Sequence, residues 1–304
     1  MACTKSGPFR ASRVALVAME VAKESPPLHP HKFAPKKFNE HQLFVCLVLM
    51  RFFKTSYRGI HAYLQDMPKL CEDIGLAKVP HYTTIQQAAR RLLSHQRTHR
   101  LLARSNELLA EVNKPPPKGR RAAADGTGLA ANRRSAYYTH RRKQTGERVQ
   151  YRRFPKLTLL IDIDNHMILS MLRGRGPKPD IQELVPLLDA VPRGLTVHHV
   201  YADAGFDSEW NHTYAREEHG IITTIPPNHG RPSKNSQPPA GKYRRMMKET
   251  FGLRKKHYGQ RWQVETVNSM FKRNQGDNVS GQSYWSQQRE LGLVALTHNV
   301  AIVG

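Results

Sequence analysis

The segment YGQRWQVETVNSMFKR, residues 258–273, carries two patterns at once. Read as one helix advancing about 100° per residue, Tyr258, Arg261, Glu265 and Lys272 fall within an arc of roughly 60°. Val264, Val267 and Phe271 fall on a separate side. Such a helix buries one face and turns a phenol, a guanidinium, a carboxylate and an ammonium toward one place. A carboxylate with Arg one turn before it and Lys two turns after it suits a phosphodiester held with a divalent cation. The acid would bind the cation and the bases would hold phosphate oxygens. The same spacing also suits a plain amphipathic surface helix whose Arg261–Glu265 pair contributes a few tenths of a kcal/mol, roughly 0.3–0.5.

Composition narrows the partners. The chain has 304 residues and a formal charge of +24. That length accommodates a catalytic domain and a smaller one. The charge calls for a polyanionic partner, nucleic acid first and an anionic membrane surface a distant second. The only cysteines are Cys3, Cys46 and Cys71, with no metal-ligand spacing, as expected in a reducing compartment. The apolar run over residues 43–50 is too short to span a bilayer and ends at Arg51. Residues 1–20 lack the apolar stretch of a signal peptide. A soluble, cytoplasmic protein is expected.

Along the chain, residues 1–38 are basic and Pro-rich and read as a flexible or extended arm. Residues 39–112 are helical by pattern. One helical run covers 39–64, a second begins around Thr83 or Thr84, and a third spans about 96–112. Helix, turn region with Gly75 and Pro80, then a helix opening in Thr, Gln and Arg is similar to a helix-turn-helix, so this region is expected to bind DNA. A plain helical bundle would give the same pattern. Residues 113–121, NKPPPKGRR, read as a linker.

From residue 122 the pattern changes to strands. AAADGTGLA, YRRFPKLTLLIDI and HMILSMLRG are three strands, with Asp164-Asn165 turning between the last two. PDIQELVPLLDAV is helical, VHHVYAD is a strand ending in an acid, and SEWNHTYAREEHG is a helix closed by Gly220. IITTIP is a short strand. Periodicity alone supports an α/β class with a mixed sheet.

The spacing Tyr-x2-Arg-x3-Glu-x6-Lys at Tyr258, Arg261, Glu265 and Lys272 resembles the signature of DDE-type insertion-sequence transposases. That resemblance implies a ribonuclease H-like mixed sheet flanked by helices over residues 122–304, following an all-α N-terminal region. It also requires two further acids at strand ends. Asp125 in DGTG and Asp203 in YADAGFDS match the family's segments. By resemblance, Asp125, Asp203 and Glu265 are catalytic and hold two Mg²⁺ ions (Mn²⁺ substituting), with Asp125 bridging. Two ions about 3.5–4 Å apart clamp both sides of an in-line displacement, which takes carboxylates from separate elements. Asp162 and Asp164 read as turn residues, and Asp207 as a helix-start residue. The 62 residues from Asp203 to Glu265 leave no room for the long β-rich insertion of some relatives. The polar, Pro- and Gly-rich segment 226–245 within that interval is expected to be a flexible loop.

Two basic runs complete the reading. Residues 133–156 hold Arg133, Arg134, Arg141, Arg142, Lys143, Arg148, Arg152, Arg153 and Lys156, with Tyr137, Tyr138 and Tyr151 interleaved. Residues 242–256 hold Lys242, Arg244, Arg245, Lys248, Arg254, Lys255 and Lys256. Beside a metal site such runs read as a DNA track, with aromatics for base stacking. Expected DNA contacts are Tyr258, Arg261, Lys272, Arg273, Arg141, Arg142, Lys143, Arg152, Arg153, Arg254, Lys255 and Lys256. The expected activity is cleavage at transposon ends and strand transfer into target DNA, by a homodimer on paired double-stranded ends in a prokaryotic cytoplasm, at the nucleoid. The alternatives are a stand-alone nuclease of the same fold and a non-catalytic DNA-binding descendant.

Overall fold

The computed structural model describes residues 10–24, 33, 37–112, 116–131, 153–228, 239 and 241–304. They form two units. Among them, no helix is long and apolar enough to cross a membrane.

The first unit comprises the chain up to Val112 together with residues 271–277 and 283–304. Its helices are α1 (Arg10–Ala22), α2 (Glu40–Phe52), α3 (Tyr57–Asp66), α4 (Pro68–Asp73), α5 (Tyr82–Leu92) and α6 (His95–Val112), joined by the chain's last helix, Tyr284–Val303. The arm expected over residues 1–38 contains α1. Ala11, Val14, Ala15, Ala18 and Val21 recur at three- and four-residue steps and are buried, which is why this stretch folds as a helix. The run expected over 39–64 is divided at Phe53, where Lys54 takes a positive φ. Asn39 and Gln42 cap α2 reciprocally, a capping box that starts the helix sharply. The following helix begins at Tyr82 after His81 rather than behind a Thr cap. Glu40 is buried and paired with Arg97 and Arg91, tying α2 to α5 and α6.

The second unit comprises residues 113–270 and 278–282. Its sheet has five strands: β1 (Arg120–Gly128), β3 (Phe154–Asp162), β4 (Ile168–Gly176), β5 (Val197–Ala202) and β6 (Ile222–Thr224). Their order is β4-β3-β1-β5-β6. The β3–β4 and β1–β3 pairs are antiparallel, while β1–β5 and β5–β6 are parallel. Short β2 (Ala130–Ala131) and β7 (Asn278–Val279) pair separately. The stretch expected as linker ends inside β1, since the Arg120 amide already donates to Thr196 O. β1 is central, and its Ala122, Ala123 and Ala124 are fully buried. Small side chains there allow elements to approach both faces of the sheet. Leu160, Leu169, Val200, Ala202 and Phe206 pack with Leu184, Leu187 and Leu188 of α7 (Leu184–Asp189) into one core.

After β5 come a 3-10 turn, Ala204–Phe206, and α8 (Glu209–Thr213), which continues as a π-helical turn to Glu218. α9 (Lys242–Tyr258) then leads to α10 (Trp262–Gln275), and α11 (Tyr284–Val303) closes the chain. The KYRR end of the segment expected as a loop is the first turn of α9. That turn is fixed from outside. Glu209 accepts from the Tyr243 and Arg244 amides, both at 2.9 Å, so its carboxylate satisfies orphan donors at the helix start. Asp207, fully buried, accepts from the Arg244 guanidinium at 2.8 Å and the Asn228 amide at 2.8 Å. Burial would raise the Asp207 pKa. The His212 ring, Arg244 and the Asn228 amide outweigh burial and hold it below the ordinary carboxylate value.

Candidate active site

The sheet register sets the centre of the site. β1 and β5 run parallel, with Ala124 opposite Ala202. The next residue on each side is an aspartate, Asp125 within β1 and Asp203 just past the end of β5. Two strands leave the core in step and deliver carboxylates side by side. Asp125 is half-buried, whereas Asp203 is exposed. The Asp203 Oδ1 accepts from the Ala204 amide at 2.7 Å, which opens the 3-10 turn that follows.

The expected single helix over 258–273 is broken. α9 ends at Tyr258, residues Gly259–Arg261 form a 3-10 turn, and α10 starts at Trp262. This turn packs against β1 and β5. The break re-aims Tyr258, whose ring meets Phe251 edge-on at 5.1 Å. Val264 and Val267 are fully buried, as their spacing predicts. One turn after Val264, Asn268 reaches Asp125, donating from Nδ2 to Oδ2 at 3.1 Å. Asn268 was missed by sequence reading. It lies three residues after Glu265, one turn along the same face, and that spacing is the signal that could have found it.

Arg261 sits among the acids. Its Nη2 donates to Glu265 Oε1 at 2.6 Å. Although burial works against the charged form, Tyr258, Glu265, Asp203 and Asp125 together raise the Arg261 pKa. Burial likewise raises the Tyr258 phenol, opposed by Arg261 and helped by Asp203 and Glu265. Asp125 is pushed up to about 6, chiefly by burial, with Asp180 and Glu265 adding to the rise and Arg261 and the Gly126 amide opposing it. One guanidinium therefore partly neutralises three carboxylates.

The expected metal triad is not drawn together as such. Among the described residues, no three His, Cys, Asp or Glu side chains are gathered closely enough to hold an ion. Glu265 is turned to Arg261, and its side chain is 57% exposed. The donor chemistry still fits a hard divalent cation, because every available ligand is a carboxylate oxygen. Asp162 and Asp164 are spent elsewhere. Asp162 takes a buried ion pair from Arg120 at 2.5 Å and caps the Asp164 amide, and Asp164 pairs with Arg121.

The basic residues divide. Arg254 is half-exposed, Lys255 and Lys256 are exposed on the last turns of α9, and Arg153 is exposed before β3. Lys272 and Arg273 lie further along α10, in its part belonging to the first unit, where Arg273 is exposed. Lys156, read from sequence as part of a surface run, is buried and paired with Asp180 at 2.5 Å and Glu183 at 2.8 Å. Arg141, Arg142, Lys143 and Arg152, with Arg133, Arg134, Arg148 and the interleaved tyrosines, lie outside the described residues.

A five-stranded mixed sheet flanked by helices, with one acid on its central strand and a second at the end of the parallel neighbour, is a ribonuclease H-like architecture. The family model described as "Transposase DDE domain" matches residues 116–300, and the chain belongs to that family. No curated protein matches the sequence. Membership makes the chain a transposase-type protein of a class that cleaves nucleic acid.

Proposed function

We propose that this chain cuts DNA at the ends of a mobile element and joins the freed 3′-hydroxyl to target DNA. The observation that carries the reading is the register of β1 and β5, which sets Asp125 beside Asp203 under α10. Asp125, Asp203 and Glu265 would hold two divalent cations, Mg²⁺ or in its place Mn²⁺. When bound, such ions supply activation of the attacking oxygen and neutralisation of the leaving one. The protein's part is to orient. Asn268 fixes the Asp125 carboxylate, and Arg261, released from Glu265, would turn its guanidinium to a phosphate oxygen.

Around this centre, Arg254, Lys255 and Lys256 on α9, Arg153, Tyr258, Lys272 and Arg273 would follow the DNA backbone, with Arg141, Arg142, Lys143 and Arg152 extending the track. In the first unit, α5 exposes Thr83, Gln86, Gln87 and Arg90 while burying Ile85, Ala88, Ala89 and Leu92. That polar face supports DNA recognition by the helical region. A homodimer bridging two ends, acting at the nucleoid of a prokaryotic cell, completes the proposal.

The test is nicking of a labelled element-end duplex in Mg²⁺ by wild type and Glu265→Gln. The amide keeps the shape and removes the charge. Cutting at the terminus by wild type, with binding but no cutting by the variant, is the expected result. Tight binding with no cutting by wild type in Mg²⁺ or Mn²⁺ would instead make the chain a DNA-binding descendant.

A further inference from the structure

The 3-10 turn Asp180–Gln182 lies against Gly126, beside Asp125, and against the turn that follows Asp203. Asp180 Oδ1 stands 3.0 Å from where a Cβ on Gly126 would be, and Oδ2 stands 3.4 Å from the same position on Gly205. Gly126 follows Asp125, and Gly205 is two residues past Asp203. The Asp180 carboxylate thus spans the gap between the two main-chain segments, and it fits because neither flanking residue has a side chain.

Two other groups hold it there. Lys156 Nζ donates to Asp180 Oδ1 at 2.5 Å and to Lys178 O at 2.9 Å, and its Cε is itself 3.0 Å from the Gly126 Cβ position. Asn211, 1% exposed, donates from Nδ2 to Ile181 O at 2.8 Å and to Phe206 O at 2.7 Å. That amide bolts the turn containing Asp180 to the turn that follows Asp203.

Asp180 is not the only carboxylate that holds Lys156 inside. Glu183, 6% exposed, also pairs with Lys156 at 2.8 Å and accepts from Thr158 Oγ1 at 2.6 Å. Asp180 itself is 35% exposed, so Asp180→Asn should leave the fold intact, with the Lys156–Glu183 pair still in place. What distinguishes Asp180 is its place between the two acids.

We infer that Asp180 is a positioning residue. Backed by Lys156, it sets the separation of Asp125 and Asp203 and thereby the affinity of that pair for a divalent cation. The inference rests on reading those aspartates as cation-holding groups.

The experiment is calorimetric titration of the full chain, without DNA, with Mn²⁺, on wild type, Asp180→Asn, Gly126→Ala and Asp125→Asn, each with a thermal melt. The expected result for Asp180→Asn is about tenfold weaker Mn²⁺ binding at an unchanged melting temperature, the size seen when an outer partner of a ligand is removed. Gly126→Ala keeps the carboxylate but displaces it, and it should weaken Mn²⁺ binding in the same way. DNA nicking by Asp180→Asn should recover at saturating Mn²⁺, while Asp125→Asn stays inactive. Wild-type Mn²⁺ affinity in both Asp180→Asn and Gly126→Ala overturns the inference alone, as does weakening that only tracks a fall in melting temperature. A folded wild type that binds no Mn²⁺ overturns the reading of the aspartates, and this inference with it.

Discussion

Asn268 donates a hydrogen bond to Asp125 across 143 positions of sequence, joining α10 to the central strand. Asn268 is buried, and its other amide atom, Oδ1, has no hydrogen-bond partner among the described residues. A buried amide kept half-satisfied is an arrangement that stability alone does not favour. Asn268→Leu, similar in volume, should lower single-turnover nicking about 10- to 100-fold while leaving DNA affinity within twofold, the pattern for a group that orients a ligand. Wild-type nicking rates in a mobility-matched assay would remove Asn268 from the machinery.

Arg261 lies among Asp125, Asp203 and Glu265, and a divalent cation held there would do the same electrostatic work. Arg261→Met should therefore lower the melting temperature in chelator by a degree or two, on the order of 0.5–1 kcal/mol for screened repulsion among partly exposed acids. Added Mn²⁺ should restore most of that loss. A deficit that Mn²⁺ leaves unchanged would show that Arg261 acts by packing.

Gly241 has φ +102°, and a Cβ there would meet the Glu209 carboxyl at 2.3 Å. Gly241→Ala should displace Glu209 from the Tyr243 and Arg244 amides and cost about 1–3 kcal/mol of local stability. Hydrogen exchange is the measurement. Amides in the first turns of α9 should exchange faster, while those of β1 keep their protection.

His199 links stability to pH. Burial lowers its pKa to about 4, with His198, Arg254, Arg216 and His257 adding to the fall, and its Nε2 lies 2.8 Å from Thr224 Oγ1. The unfolded chain binds this proton near its ordinary pKa of about 6.5, above the folded value, so stability is full above that pH. It then falls as the pH drops from about 6.5 toward 4. His199→Gln should flatten that part of the urea-midpoint-versus-pH curve. An unchanged slope would mean that the ring is solvated enough to titrate normally.

Sequence reading was strongest where a local pattern and the buried face coincide. The apolar runs of β3 and β5, the Asp-Asn turn and the buried Val264 and Val267 all follow from alternation or helical spacing. It failed where a long-range partner decides. Nothing within 258–273 foretells the 3-10 turn at Gly259–Arg261, because that turn is set by packing on β1 and β5. Lys156 looked like one more surface base until Asp180 and Glu183, over twenty residues away, took it into the core. α1 was hidden by the Pro-rich stretch after it, although Val14, Ala18 and Val21 carry a helical step. Asp125 and Asp203 were legible as candidates because each sits in a short Gly-containing motif. Their surroundings, Asn268 and Asp180, were not.

The pairing of Ala124 with Ala202 makes the register of the two strands that carry Asp125 and Asp203 a property of backbone hydrogen bonds, with the Asp180 turn left to trim the gap between the acids. Within the 78 residues from Asp125 to Asp203, loops outside the strands and the Asp180 turn could be lengthened or shortened and the two strands would keep that register. A protein built this way can exchange its peripheral loops without shifting the strands that carry the two acids.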